Sequence, residues 1–470
     1  MPKKKLIIGL VDADLLCNGT RHPNLVLMKL AGFFKDNEID FKLIIDQDED
    51  IAPYKYIYIS RVFSFTEMPA FYKNATPSQK RKFRKGGTGF YANELNINKY
   101  RDKREKDMIQ LENDGFLNRY PNHRGGQRSF GIDLAHQMPY YHLYDEFVGL
   151  KIREGCNIKK YKDYQKYSIG FLTRGCIRHC PFCINKLEDS IFPYSDLSSF
   201  LDNERDEHGR LVRPFIYLWD DNFLASDPVI WRSLLQQLID TGRPFQFRQG
   251  LDERMLAQSP FGEEMAQMLS KVKYHGDFIF AFDNWRDHDL IERALRIWKH
   301  YNPNKGTKFY LFCGFRQTAK NRERFYRDIW ELFQRIRVLM QYGCVGYIMR
   351  HEDYRSSPIP NFYVQIARWC NQQSFFKKMS FWEYIYRNQT YWEQSAGFEV
   401  DSPIKSFNEF LRDFKAGYYG LADSREKVRI ICRPLQTFLC VLDMFSEHRE
   451  ALLEMFNYKM SNLISPNLWE

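Results

Sequence analysis

From Tyr167 to Met349 short apolar runs alternate with helix-length amphipathic stretches, and this alternation restricts the fold more than any other feature of the chain. The run Ile169-Gly170-Phe171-Leu172 opens the series, and Phe215–Trp219, Phe245–Arg248, Phe278–Phe282, Phe309–Phe312 and Val345–Met349 continue it, six strands in all. Between them lie helical patterns over Pro228–Ile239, Met265–Val272, Leu290–His300 and about Asn321 to Tyr342. In the first of these Ile230, Leu234, Leu235 and Leu238 fall on one side at a helical period. Near-continuous apolar strands joined by helices need a parallel sheet covered by those helices, so the central region is α/β. Folds of this kind place their chemistry at the carboxyl ends of the strands, so the residues that end each strand matter most.

The first strand runs into Thr173-Arg174-Gly175 and then into Cys176, Cys180 and Cys183, spaced C-x3-C-x2-C. Three soft sulfur ligands on one loop can hold three irons of a cubane cluster or part of a zinc site. A structural zinc site wants a fourth ligand, for which His179 is the local candidate. Three structural thiols are the remaining alternative. The other seven cysteines (17, 156, 313, 344, 370, 432 and 440) are scattered and read as buried thiols.

Cys176-x3-Cys180-x2-Cys183 after a strand, preceded by Thr-Arg-Gly, resembles the signature of the radical S-adenosylmethionine (SAM) superfamily. The resemblance covers about residues 165–355 and implies a partial (β/α)6 barrel. It implies a 4Fe–4S cluster on the three cysteines, with SAM on the open iron and Phe182 near the adenine. Trp219-Asp220-Asp221-Asn222 ends the second strand where the family holds the SAM amino group, usually as Gly-Gly-Glu. Asp220 and Asp221 are equal candidates for that ammonium, which needs a charge-assisted acceptor, and Asn222 either joins them or faces substrate. Arg248-Gln249-Gly250-Leu251-Asp252-Glu253-Arg254 ends the third strand, where Gln249, Asp252 and Arg254 would meet the SAM ribose and carboxylate. Asp252 as a cap of the following helix is the plain alternative. Asp283-Asn284 and Arg350-His351-Glu352 end later strands, and His351 is either a proton carrier or structural. A flavodoxin- or ferredoxin-type reductant is the partner the resemblance implies.

Residues 5–65 also alternate strand and helix: Lys5–Val11, Phe41–Ile45 and Tyr56–Ser60 as strands, with a helix opened by Pro23. This predicts a Rossmann-like open sheet, with Asp12 and Asp14 either at a ligand edge or capping the loop. The order resembles the cobalamin-binding-like domain ahead of the core in one branch of the superfamily. The D-x-H-x-x-G motif is missing, so cobalamin-dependent methyl transfer and cobalamin-free hydrogen abstraction both stay open. Gly86-Gly87-Thr88-Gly89 is either a flexible loop or a place where backbone approaches a ligand. Arg101–Asp107 reads as a solvated charge run and His123–Arg128 as a basic surface loop.

Beyond Pro358 helical spacing rich in aromatics takes over, with Phe375, Phe376, Phe381, Trp382, Tyr384 and Tyr386 near Lys377 and Lys378. A helical cap is the expectation, and a base-stacking basic surface the alternative. Over 470 residues this gives a Rossmann-like domain with an irregular connector (1–164), a barrel (165–357) and a mainly helical region (358–470). A net charge of +10 permits contact with nucleic acid without requiring it. No apolar run of membrane-spanning length and no signal region appear, so a cytoplasmic protein without membrane contact is expected. The reading is a radical SAM enzyme acting on an unidentified substrate. Its competitor is a nucleic-acid-binding or regulatory protein that keeps an iron–sulfur or zinc site for structure alone.

Overall fold

The computed structural model describes residues 7–20, 22–90, 133–186, 188–397, 404–415 and 431–469, the side chains of 414 and 415 excepted. The charge run 101–107 and the basic loop 123–128 lie outside the described residues. The protein is α/β with parallel sheets and divides into two compact units. One comprises Met1–Gln249 with Lys273–His275, the other Gly250–Val272 with Gly276–Glu470. The division falls inside the stretch expected to form one barrel domain.

The first unit begins with a four-stranded parallel sheet: β1 (Ile7–Asp12), β2 (Phe41–Leu43), β3 (Tyr54–Ser60) and β4 (Phe83–Gly86), in the order β2-β1-β3-β4. Strand alternation sends Ile8, Leu10 and Tyr58 into one core layer and Val11, Ile57 and Ile59 into the other. The helix expected after Pro23 spans Leu25–Asp36 and starts at Asn24, whose side chain accepts the Leu27 N–H. Asp12 caps the short helix Ala13–Asn18 through the Leu15 N–H at 3.1 Å and accepts the Tyr144 hydroxyl at 2.9 Å. It is buried, which pushes its carboxyl up to about 7. Asp14 instead binds the loop after β3. The glycine-rich turn serves backbone packing: a Cβ on Gly87 would stand 2.2 Å from the Arg61 carbonyl oxygen. The connector around Pro139–His142 docks through Tyr141, whose hydroxyl donates to the Phe200 carbonyl at 2.6 Å and accepts the Ile169 N–H at 2.9 Å.

The same unit carries β5 (Tyr167–Gly170), the hairpin strands β6 (Thr173–Gly175) and β7 (Ile191–Pro193), then β8 (Phe215–Leu218) and β9 (Phe245–Phe247). β5, β8 and β9 form a parallel sheet in that order, and β6 pairs antiparallel with β7.

In the second unit β10 (Phe278–Ala281), β11 (Thr307–Cys313) and β12 (Val345–Arg350) form a parallel sheet in sequence order. Helices His288–Tyr301 and Arg322–Gln341 connect them. Arg335 is buried on the apolar face of the second helix, and its Nη1 donates to the carbonyls of Phe282 and Phe312 at 2.7 and 3.0 Å. It thereby satisfies backbone acceptors just beyond β10 and within β11. The carboxyl-terminal region is helical. Phe376, Phe381, Trp382, Tyr384 and Tyr386 are buried, and the Phe381 ring lies 5.5–5.7 Å from those of Phe333, Trp369 and Phe456. These aromatics build a core and do not form a stacking surface. Among the described residues no helix is long and apolar enough to cross a membrane.

Candidate functional site

The three cysteines occupy the loop of the β6–β7 hairpin, whose register pairs Gly175 with Ile191. Entry to the loop requires a glycine: Gly175 has φ 98°, and a Cβ there would meet the Ser190 carbonyl oxygen at 2.1 Å. Cys176, Cys180 and Cys183 are all half-buried. A turn closes through the Cys183 N–H on the Cys180 carbonyl at 2.9 Å. N–H groups point at sulfur: the Asn185 backbone at 3.4 Å from Cys183 Sγ, and Asn222 Nδ2 at 3.5 Å from Cys176 Sγ. Such donors stabilise thiolate over thiol and tune sulfur-ligated clusters. His179 is exposed, with φ 50°, and its Nδ1 lies 3.1 Å from the Lys186 carbonyl oxygen. Among the described residues no group of three or more His, Cys, Asp or Glu side chains is gathered to hold a metal ion.

The residues that end β8 brace this hairpin. Asp220 is buried, and its carboxylate accepts the N–H groups of Leu172 (3.2 Å) and Thr173 (2.6 Å) and the Thr173 hydroxyl (2.8 Å). Burial pushes its carboxyl up to about 7 against the pull of those donors. Asp221 accepts the Gly175 N–H at 3.0 Å and the Asn185 side chain at 2.8 Å, and Arg174 Nε stands 3.2 Å from its Oδ2. The Arg174 guanidinium also lies over the Phe171 ring at 4.1 Å. The two aspartates therefore hold both sides of the chain that enters the cysteine loop, and a ligand ammonium at Asp221 would share the carboxylate with Arg174.

Cys176, Cys180, Cys183, Phe182, Asp220, Asp221 and Asn222 thus belong to one unit, where Phe182 is half-buried on the cysteine loop. Gln249 is exposed and is the last residue of that unit before Lys273. Its neighbour Arg248 lies over the Tyr217 ring at 4.5 Å. Asp252 and Arg254 fall in the second unit and engage each other at 2.7 Å, with Asp287 3.2 Å from the same guanidinium. Beside them Glu253 is buried and accepts the Ala281 N–H at 3.0 Å, and burial pushes its carboxyl up to about 8. Asp283 is pushed up to about 6 by burial, with Arg335 and Arg254 pulling the other way. His351 caps a short 3-10 turn: its Nδ1 lies 3.3 Å from the Asp353 backbone nitrogen and 3.1 Å from the Asp353 carboxylate.

Sequence reasoning passed over Asn185, Arg174 and Glu253, each inside or beside a segment it singled out. It also passed over Arg335, whose signal is a charge within the apolar pattern Leu332, Phe333, Ile336, Leu339. No protein-family model matches this chain, and no curated protein matches it.

Proposed function

We propose that this chain is a radical SAM enzyme whose Cys176, Cys180 and Cys183 hold a 4Fe–4S cluster. The observation that carries the reading is the bracing of the C-x3-C-x2-C loop by the acidic end of a parallel strand. Asp220 and Asp221 fix Thr173 and Gly175, and Asn222 reaches Cys176. A structural zinc loop has no need of two carboxylates, one buried and one half-buried, following β8 and bracing its entry strand. The donor set suits the cluster chemically, since thiolates accepting N–H groups favour it over harder metals. The three sulfurs would converge on cluster uptake, which a half-buried hairpin loop permits.

The cluster with SAM bound would supply, on one-electron reduction, a 5′-deoxyadenosyl radical able to abstract hydrogen from substrate. The protein's own part is narrower. Cys176, Cys180 and Cys183 would hold the cluster, the N–H groups of Asn185 and Asn222 would stabilise charge on two of the sulfurs, and Phe182 offers a ring on the same loop. Asp221 is the better acceptor for an ammonium: the bonds of Asp220 all go to Leu172 and Thr173, whereas Asp221, besides the Gly175 N–H, is bound by an exchangeable guanidinium and amide. The partial (β/α)6 barrel and a Rossmann-like amino-terminal domain belong to the same proposal. The parallel sheets of each unit supply strands of the required direction.

Anaerobic reconstitution with iron and sulfide tests this reading. Wild type should take up about four irons per chain, as a cubane cluster requires, and its reduced EPR signal should shift on adding SAM. Zinc in the purified protein, with no SAM-dependent shift, would establish the structural-metal reading instead.

A further inference from the structure

We propose that the loop Arg61–Thr66, together with the edge strand β4, is a stacking platform for single-stranded nucleic acid. Val62, Phe63 and Phe65 are 42%, 47% and 71% exposed, and the two phenylalanine rings stack at 5.2 Å and 13°. Single exposed apolar side chains are ordinary, but three within four residues on a fixed loop are not. The loop is fixed from below and from the side. The buried carboxylate of Asp14 accepts the N–H groups of Val62 (2.6 Å) and Phe63 (3.3 Å) and the Thr66 hydroxyl. The Arg61 guanidinium donates to the carbonyls of Phe63 and Ser64, and the Thr88 hydroxyl to that of Val62. Gly89 sits so close that a Cβ would be 2.7 Å from the Phe63 carbonyl oxygen. A buried acid spent on presenting two rings to solvent makes this a built surface, with its ordering cost already met before a ligand arrives.

The occupant follows from the charge beside the rings. Lys80-Arg81-Lys82-Phe83-Arg84-Lys85 carries five basic residues and no acidic one, and Lys80, Arg81 and Lys85 are exposed. Lys85 registers with Ile59 and Gly86 with Ser60, which puts Lys85 two strand steps before the start of the loop. The acidic residues Asp46, Asp48, Glu49 and Asp50 lie in the β2–β3 connection: Lys42 pairs with Glu49 at 2.8 Å, and Lys82 Nζ donates to the Ile51 and Ala52 carbonyls beside Asp50, so the exposed Lys80, Arg81 and Lys85, rather than Lys82, are the cations open to a ligand. The nearer Glu67 is paired with Lys73 at 2.7 Å. A line of cations beside stacked rings matches a backbone of phosphates with unpaired bases, which stack without regard to sequence. A membrane surface would call for an amphipathic helix, and this patch is a loop and a strand edge.

Fluorescence anisotropy of the full chain with a labelled oligouridylate of about ten nucleotides tests the proposal, a length within the usual site size. Wild type should bind and weaken steeply between low and physiological salt. Phe63→Ala/Phe65→Ala should lose roughly tenfold or more in affinity, and Arg81→Glu/Lys85→Glu should weaken binding and flatten the salt dependence. Phe63→Leu/Phe65→Leu, which keeps the apolar area and removes the rings, should stay weak. Circular dichroism and melting temperature should match wild type for all three. Absence of binding by wild type at low salt, full affinity in the alanine variant, or recovery in the leucine variant would overturn the proposal. So would flotation with anionic phospholipid vesicles that depends on the two rings while oligonucleotide binding does not.

Discussion

The Asp221 carboxylate accepts the backbone N–H of Gly175 at 3.0 Å, one residue before the first cysteine of the loop. A side chain at the end of β8 thereby sets the direction in which the chain leaves β6. Through Asn185 it also reaches the far side of the same loop at 2.8 Å. The carboxylate ties the loop's entrance to a residue just past its last cysteine, so loop geometry and strand-end chemistry depend on each other.

Asp221→Ala should therefore lower iron uptake as well as SAM affinity. Removing the acceptor strands the Gly175 N–H and frees Arg174, costing about 1–3 kcal/mol locally. Iron content after reconstitution and SAM affinity by calorimetry check this. Iron uptake equal to wild type would show that the brace is dispensable.

Gly175→Ala should be worse. The left-handed φ alone costs of order 1–3 kcal/mol, and the collision with the Ser190 carbonyl adds to it. We expect a lower urea midpoint together with loss of iron binding. Gly209→Ala serves as a control, since its φ is also positive, at 73°, but nothing lies within 4 Å of its Cβ.

Asp12 and Asp220 should each cost stability as pH rises from about 4 to about 7. Burial raises Asp12 and Asp220 to about 7 in the folded protein, against about 4 in the unfolded chain. Between those values the folded state holds more protons, so each group lowers stability as pH increases, by at most about 1.4 kcal/mol per pH unit. Asp12→Asn keeps an acceptor for Leu15 and should flatten the slope between pH 4 and 7, read by denaturation at a series of pH values. An unchanged slope would contradict the assignment.

Arg335→Met should destabilise the second unit by about 3 kcal/mol or more. It leaves the Phe282 and Phe312 carbonyls without this donor and removes the cation facing Asp283. Calorimetry should show a lowered transition.

Much of the α/β order was legible because strand-length apolar runs and helical periodicity are local signals. Strands β8 to β12, and β1 and β3, lie within a few residues of their expected bounds, whereas the hairpin strands β6 and β7, three residues each, were not anticipated. β4 was not legible: its sequence Phe-Arg-Lys-Gly carries one apolar side chain, as an edge strand can when only one position meets the core. Asp14 and Asp220 could be placed at strand ends, but the partners they hold lie 47–52 residues away and leave no mark on local sequence. The carboxyl-terminal aromatics show the same limit from the other side, since burial and exposure of a Phe-Trp-Tyr cluster give the same composition.

The most direct test is the product of SAM cleavage. The reconstituted protein, reduced by dithionite without oxygen, should convert SAM to 5′-deoxyadenosine, and Cys176→Ala should not. Equal product from both, or none from a wild type carrying its full iron, would contradict the assignment of the cysteine loop as a radical SAM site.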